Sequence, residues 1–170
     1  KAHAVHPIAA VQTEYSLWTR NPEIAVLDAC RELGTTFVAF SPVARGFLCG
    51  KPIDIDQLDA KDIRRGMPRF NAENFPRNLQ LLPPYLVLAQ ELGCSPSQLA
   101  IAWLLHKAPH IVPIPGTTSI PHLHDDLGAL NVKLSPAHMQ QLEAMIGQHN
   151  VVGNRYNDQA NSEVDTEVFA

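Results

Sequence analysis

The pattern of apolar and polar residues predicts a strand, a helix and a second strand in the first part of the chain. Residues 8–13 (IAAVQT) form a short apolar run that suits a buried parallel strand. A helix is expected to begin at Asn21 and Pro22, which suit its cap and first position, and to end at Gly34. Residues 36–40 (TFVAF) are rich in strand-forming types. This order implies a parallel sheet covered by helices.

The rest of the chain alternates a long loop with helices and one more strand. Residues 41–83 are irregular and rich in Gly and Pro, and a loop of this length in a compact protein usually has a function. The pattern predicts helices at residues 85–92, from Ser95, at 119–130 and from Ser135, and a strand at 111–114. Residues 1–149 are interpreted as the folded part, and residues 150–170 as a polar, loose C-terminal segment.

Three strands are too few to close a (β/α)8 barrel, which has eight strands and typically about 250 residues. An open, doubly wound sheet is the alternative, but a dinucleotide-binding sheet of that type is expected to carry GxGxxG between a strand and a helix. The sequence contains no such run. Its first residues, KAHAVHPIAA, look like the end of a helix that leads into a strand, so we expect the chain to be a fragment.

Composition and charge exclude several classes of function. Hydrophobic residues make up 45% and charged residues 18% of the sequence, as in soluble globular proteins. The net charge is −4, so no basic surface is expected that would attract nucleic acid or an anionic membrane. No apolar run approaches the ~20 residues that are needed to cross a bilayer.

The cysteines and histidines show no metal-binding or disulfide spacing. Cys30, Cys49 and Cys94 form no CxxC pair, so neither a disulfide framework nor a zinc site is expected, which favours the reducing cytoplasm. The eight histidines form no HExxH motif and are interpreted as surface or capping residues rather than metal ligands.

Polar or conformationally special residues follow each of the three predicted strands. The segments are QTEYS at residues 12–16, FSPVARG at 40–46 and PIPGTT at 113–118. Parallel sheets place ligands at the carboxyl ends of their strands, so the three segments are candidates for one binding site. Any one of them alone would be an ordinary transition from a strand to a loop.

The order of these motifs resembles the second half of an aldo-keto reductase of the long-loop bacterial and fungal type. VQTEYS, AFSPVARG, RFNAEN at residues 69–74 and WLL…IVPIPGTTS…HLHDDLGAL carry the resemblance, which covers residues 8–145. The resemblance implies an α/β fold, namely the C-terminal part of a (β/α)8 TIM barrel with strands six to eight and their helices. It also implies that a small carbonyl substrate is reduced by hydride transfer from NADPH without a metal ion.

The resemblance assigns two residues to the nicotinamide end of the cofactor. Gln12 corresponds to a glutamine that binds the carboxamide, and a side-chain amide can donate and accept hydrogen bonds at once. Phe40 corresponds to the aromatic residue that stacks on the nicotinamide ring. Without the resemblance, Gln12 would be a polar strand end and Phe40 a core aromatic residue.

The segment after the second strand corresponds to the part of the family that wraps the cofactor pyrophosphate. The residues concerned are Ser41, Pro42, Val43, Arg45 and Gly46. Backbone N–H groups in a turn can hold phosphate, glycine permits close approach, and arginine supplies positive charge.

The segment after the third strand, with the start of the next helix, corresponds to the family's site for the 2′-phosphate and adenine. A helix N-terminus with unpaired N–H groups attracts anions. The resemblance implies cofactor contacts from Ile114, Gly116, Thr117, Thr118, Ser119, His122, Asp125 and Asp126.

This adenosine segment departs from the family pattern in its charges. Thr118 and Ser119 stand where many relatives have Lys or Arg, and Asp125-Asp126 replaces the usual Glu-Asn. Fewer cations and one more carboxylate weaken the attraction for a 2′-phosphate. NADP is the cofactor that the family implies, and NAD is possible as well.

The family's proton-transfer residues, an Asp, a Tyr, a Lys and a His, belong to earlier strands. Tyr15, Tyr85 and Tyr156 do not match the position of that tyrosine, so the chain is expected to bind cofactor but to be inactive alone. Trp18 is a candidate wall of the substrate pocket, and loop packing explains it equally well. The alternative function is a non-catalytic module that senses the cofactor or regulates a partner.

Overall fold

The computed structural model describes residues 1–51, 53–165 and 167–169. In these residues the chain forms three strands, β1 (Ala10–Glu14), β2 (Thr36–Phe40) and β3 (Ile111–Ile114). Its α-helices are α1 (Ala2–Val5), α2 (Val26–Leu33), α3 (Phe75–Leu79), α4 (Leu82–Glu91), α5 (Pro96–Lys107), α6 (Ile120–Gly128), α7 (Pro136–Met145) and α8 (Asp158–Ser162). Short 3-10 helices occupy Asn21–Glu23, Ala44–Cys49, Ile55–Gln57, Ile63–Gly66, Pro68–Phe70 and Ala129–Asn131. None of the described helices is long and apolar enough to span a membrane.

The three strands form one parallel sheet in the order β1-β2-β3. Glu14 lies opposite Phe40, and Phe40 lies opposite Ile114, so the carboxyl ends of all three strands meet at one edge. The strands predicted at residues 36–40 and 111–114 are confirmed at their bounds. The first strand lies slightly later than predicted.

The two faces of the sheet differ in burial because side chains alternate along each strand. Phe37, Ala39 and Ile111 point to one face and are buried beneath the helices. On the opposite face, Val112 is 46% and Ile114 is 41% exposed, although both are apolar. The described residues therefore leave an apolar sheet face open.

Helix α5 forms the centre of the core. Ser95 accepts a hydrogen bond from the backbone of Gln98, whose side chain accepts one from the backbone of Ser95, and Pro96 takes the first helical position. This capping box fixes the start that the sequence predicted. Leu99 and Trp103 are fully buried, as suits a helix that packs on both the sheet and other helices.

The long segment at residues 41–83 is a packed excursion rather than a simple connection. It contains four of the 3-10 helices and α3, and it brings two phenylalanines against Trp18 and a third against those two. The Trp18 and Phe47 rings stack with their centroids 4.0 Å apart, and Phe70 meets Trp18 edge-on at 5.2 Å. Phe75 packs against Phe70 at 5.4 Å. This aromatic cluster holds the loop against the end of β1.

The C-terminal segment is not loose over its first residues, contrary to the sequence-based expectation. The Val152 N–H donates to Asn78 Oδ1 at 2.9 Å, and Asn78 Nδ2 donates to the carbonyl oxygens of Arg69 at 3.1 Å and Val152 at 3.0 Å. Arg69 Nε also donates to the Gly153 carbonyl at 3.2 Å. Polar composition does not exclude order here, because a buried amide and a buried guanidinium bind the backbone of the segment.

Replacing Asn78 with Ala is expected to lower the free energy of unfolding by about 2–4 kcal/mol, because buried backbone groups of Val152 and Arg69 lose their partner. Chemical denaturation measures the change. The exposed Asn131 is the matched control, and Asn131→Ala is expected to change the stability by less than about 0.5 kcal/mol. Equal effects of the two substitutions would contradict the anchoring role of Asn78.

Candidate functional site

A cleft of about 790 Å³ opens beside the carboxyl ends of β2 and β3. The segment after β2, the turn after β3 and the starts of α5 and α6 form its walls. Its volume lies within the range of small-molecule sites. Of the residues that the sequence singled out, the cleft brings together Val43, Gly46, Gly116, Thr117, His122, Asp125 and Asp126.

The other predicted residues lie around this cleft without lining it. Ser41 and the buried Pro42 follow β2 directly, and Ile114 ends β3 on the open sheet face. Thr118 is exposed next to the cleft-lining Thr117. These four residues are within two positions of cleft-lining residues but do not line the cleft themselves.

Gln12 and Phe40 lie on that open face. The register places Gln12 opposite Val38, two residues before Phe40, so all three side chains belong to the same face of neighbouring strands. Gln12 is exposed and Phe40 is half-buried. An amide and an aromatic ring are thus available on one surface beside the cleft.

The backbone after β2 is strained. Ser41, Ala44 and Arg45 have φ angles of 52°, 52° and 55°, in the left-handed region that residues with a Cβ rarely adopt, and Gly46 has φ of 90°. Each such non-glycine residue costs on the order of 1–3 kcal/mol, which the surrounding structure must offset. Strain of this kind clusters at ligand clamps, and here it turns the chain sharply between β2 and the cleft.

The positive charge of Arg45 is paired with a carboxylate inside the protein. Its Nη2 donates to Glu14 Oε2 at 3.0 Å, and Glu14 is 3% exposed. Thr19 Oγ1 donates to the second oxygen of the same carboxylate at 3.1 Å. The guanidinium that the sequence assigned to a phosphate is therefore paired with a carboxylate at the end of β1.

Two cations that the sequence analysis did not single out line the cleft, namely Lys51 and Arg64. Arg64 is held by Asp62 through two hydrogen bonds of 2.9 and 2.7 Å. The same hydrogen bonds lower the pKa of Asp62 to about 2. The signal for Lys51 was its place in the glycine-rich segment after β2. Arg64 lies in the irregular segment at residues 41–83, where no sequence motif marks it as a cleft residue.

The start of α6 adds polar and acidic groups to the cleft. Ser119 caps the helix by accepting a hydrogen bond from the His122 N–H at 3.4 Å. Asp125 Oδ2 accepts a hydrogen bond from Ser95 Oγ at 2.7 Å. Burial and the neighbouring Asp125 raise the pKa of Asp126. Carboxylates therefore face the same cleft as the two cations.

Trp18 and the tyrosines belong to the packing of the protein. Trp18 is 4% exposed and its ring stacks on Phe47. Burial raises the pKa of both Tyr15 and Tyr85, and the Tyr15 hydroxyl donates to Glu23 at 2.6 Å. Neither hydroxyl is placed to give a proton to a substrate. Among the residues with described positions, no group of three His, Cys, Asp or Glu side chains could hold a metal ion.

Solved structures share the fold of this chain. A glycerol dehydrogenase from Gluconobacter oxydans is 22% identical with a TM-score of 0.75, over 92% of this chain and 47% of that one. An aldo/keto reductase from Klebsiella pneumoniae in complex with NADP and acetate is 22% identical with a TM-score of 0.60, over 88% and 43%. A thermostable aldo-keto reductase in complex with the inhibitor epalrestat is 28% identical with a TM-score of 0.57, over 82% and 40%. This chain spans less than half the length of each of them.

A family model extends the likeness from structure to sequence. The model of the aldo/keto reductase family matches residues 1–146, which is most of the chain. The α/β fold agrees with that of the solved structures. The resemblance inferred from the strand-end motifs is confirmed, and this chain belongs to the aldo/keto reductase family.

Proposed function

We propose that this chain supplies the cofactor-binding part of a reductase that converts aldehydes or ketones to alcohols with NADPH. The observation that carries the proposal is the cleft at the carboxyl ends of β2 and β3, which joins two cations, a glycine-containing turn and a helix start. When bound, NADPH supplies the hydride that reduces the carbonyl carbon. Two solved relatives are complexes with NADP or NADPH, which supports this choice of cofactor.

The donor set of the cleft fits a phosphate-bearing dinucleotide. Lys51 and Arg64 offer positive charge to the pyrophosphate, and the strained turn with Val43 and Gly46 offers backbone at close approach. Ser41, Pro42 and Arg45 shape this turn, the last through its ion pair with Glu14.

The adenosine end of the cofactor is proposed to lie at the start of α6. The N-terminus of this helix favours an anion. The residues proposed to contact the adenosine end are Ile114, Gly116, Thr117, Thr118, Ser119, His122, Asp125 and Asp126. The two carboxylates weaken the attraction for a 2′-phosphate, so NAD is proposed as a second, accepted cofactor.

The nicotinamide end is proposed to lie on the open sheet face. Gln12 would bind the carboxamide and Phe40 would stack on the ring, since both side chains belong to this face. Trp18 is proposed to support the nearby substrate pocket from below, because it is buried beneath the segment that follows β2.

Two apolar surfaces support the proposal that the chain forms strands six to eight of a (β/α)8 barrel. One is the sheet face with Val112 and Ile114, and β1 and β3 each have only one partner strand in the described sheet. The other is a stripe along α6 and the turn after it, formed by Ile120, Leu123, Leu127 and Leu130, which are 71%, 47%, 53% and 63% exposed. The remaining strands and helices of a barrel would cover both surfaces.

In this proposal, the two halves of the barrel supply different functional residues. Residues 1–149 would form the C-terminal half of the barrel, and residues 150–170 would follow it. The proton-transfer residues would come from the other half, so this chain alone would not reduce a carbonyl compound. The three cysteines are free thiols in the structure, which suits the cytoplasm as the proposed location.

The full-length protein is expected to oxidise NADPH in the presence of an aldehyde such as 4-nitrobenzaldehyde, as followed by absorbance. Cofactor binding without turnover of any aldehyde or ketone would favour the sensing module instead.

Lys51→Gln is expected to raise the Kd for NADPH about tenfold, because a phosphate loses a charged partner. Lys133→Gln, at an exposed position outside the cleft lining, is the control and is expected to change the Kd less than twofold.

Thr118→Arg is expected to tighten NADPH about tenfold and NADH less than twofold, because only NADPH carries the 2′-phosphate. Thr118 is chosen because it is exposed, whereas Ser119 caps α6. Fluorescence titration with each cofactor measures the effect. Asn131→Arg adds the same charge outside the cleft lining, and equal tightening of both cofactors by Thr118→Arg would argue against a 2′-phosphate at this position.

Val112→Asp in the full-length protein is expected to lower the free energy of unfolding by about 3–5 kcal/mol, because a barrel would bury this side chain without a partner for the charge. Val87 on α4 is 54% exposed and is the control, with less than about 1 kcal/mol expected for Val87→Asp. Similar small losses for both variants would mean that the sheet face stays in contact with water.

A further inference from the structure

We propose that Arg155 is a positioning residue for the nicotinamide end of the cofactor site, where it holds Phe40 and adds positive charge beside it. The inference rests on the proposed function, and it gives a role to the C-terminal segment that the reductase motifs do not include. Its starting observation is that the Arg155 guanidinium carbon lies 5.7 Å from the centroid of the Phe40 ring. A cation over a ring face is attracted to that face and restrains both groups.

Arg155 is fixed from three sides. Its Nε donates to Glu14 Oε2 at 3.1 Å, so it binds the end of β1 across 141 residues of sequence. Its guanidinium carbon also lies 4.5 Å from the centroid of the Tyr156 ring. Only 11% of the side chain is exposed. Arg155 therefore connects the C-terminal segment to the strand ends in one defined position.

The backbone just before Arg155 runs close to the neighbouring chain segment at residues 68–74. Gly153 has φ of +92°, and a Cβ at this position would lie 2.8 Å from Asn74 Nδ2 and 3.1 Å from the Arg69 backbone nitrogen. Only glycine fits so close to the neighbouring chain in this conformation. The Asn78 hydrogen bonds to Val152 hold the segment just before this glycine.

Arg155, the cation over the Phe40 ring, lies among further positive charges. Arg45, Arg69 and Arg155 line a cavity of about 10 Å³ together with one carboxylate, Glu14. Both Arg45 and Arg155 donate to the same oxygen of that carboxylate. Burial lowers the pKa of Arg69 to about 10. The nearby charges also act on this pKa, since Glu14 raises it and Arg155 lowers it. Arg69 donates instead to Thr19 Oγ1 and to the carbonyl oxygens of Trp18 and Gly153, so Glu14 is the one carboxylate among the three guanidinium groups that line this cavity, and positive charge exceeds negative charge next to Arg155.

This excess charge distinguishes the two redox states of the cofactor. The oxidised nicotinamide ring carries a positive charge and the reduced ring is neutral, so a nearby cation weakens binding of the oxidised form selectively. Removing Arg155 should favour NADP⁺ relative to NADPH. A residue that merely stabilised the fold would affect both forms alike.

The test measures the Kd of the full-length protein for NADPH and for NADP⁺ by fluorescence titration. Arg155→Gln is expected to reduce the ratio of Kd(NADP⁺) to Kd(NADPH) about threefold or more. Arg155→Lys keeps the charge and is expected to keep the ratio. Arg31→Gln removes an arginine from an exposed ion pair with Asp28 on α2, away from the site, and is the matched control.

If Arg155→Gln leaves the ratio unchanged, or shifts both constants equally, the inference is overturned while the proposed function stands. If the unmodified protein binds neither form, the proposed function fails and the inference with it. Should Arg155→Gln not fold, Arg155→His supplies a cation that titrates near neutral pH. The ratio for this variant is then expected to fall from about pH 5.5 to about pH 8 relative to the unmodified protein, and an unchanged ratio overturns the inference.

Discussion

The parallel register of the three strands determines which residues meet at the candidate site. It places Glu14, Phe40 and Ile114 side by side at one edge of the sheet, although they are far apart in sequence. The cleft walls include the segments that begin at the ends of β2 and β3. Because a shift of one residue would move each side chain to the other face, the packing of Phe37 under the helices also fixes which residues face the site.

Charge is distributed over two layers of this site. Near the strand ends, the buried Glu14 forms ion pairs with Arg45 and Arg155. These guanidinium groups therefore stabilise the structure and shape the surface around Phe40. In the cleft, Lys51 is exposed and Arg64 is paired with Asp62, and we propose that both face the anionic part of the ligand. The inner layer holds the loops in place, and the outer layer carries the binding chemistry that we propose.

Residues close together in sequence predicted the elements of the fold. Contacts between residues far apart in sequence determine the details of the site. The strand at residues 36–40 and the helix end at Gly34 follow from β-branched and aromatic residues and from a left-handed glycine, which act within a few residues. The partner of Arg45 could not be predicted in this way, because Glu14 lies on another strand. The same holds for the ordered C-terminal segment, since its composition is polar and only the buried Asn78 reveals why it is fixed.

A crystal structure of the full-length protein with NADPH would show whether three neighbouring strand ends hold one dinucleotide, as we propose. We expect the pyrophosphate between the segments that follow β2 and β3, the adenosine at the start of α6 and the nicotinamide ring against Phe40. The same structure is expected to show the open sheet face closed by the other strands of a barrel. A cofactor bound on a different surface would rule out this binding site, and a sheet face still open to water would rule out the barrel.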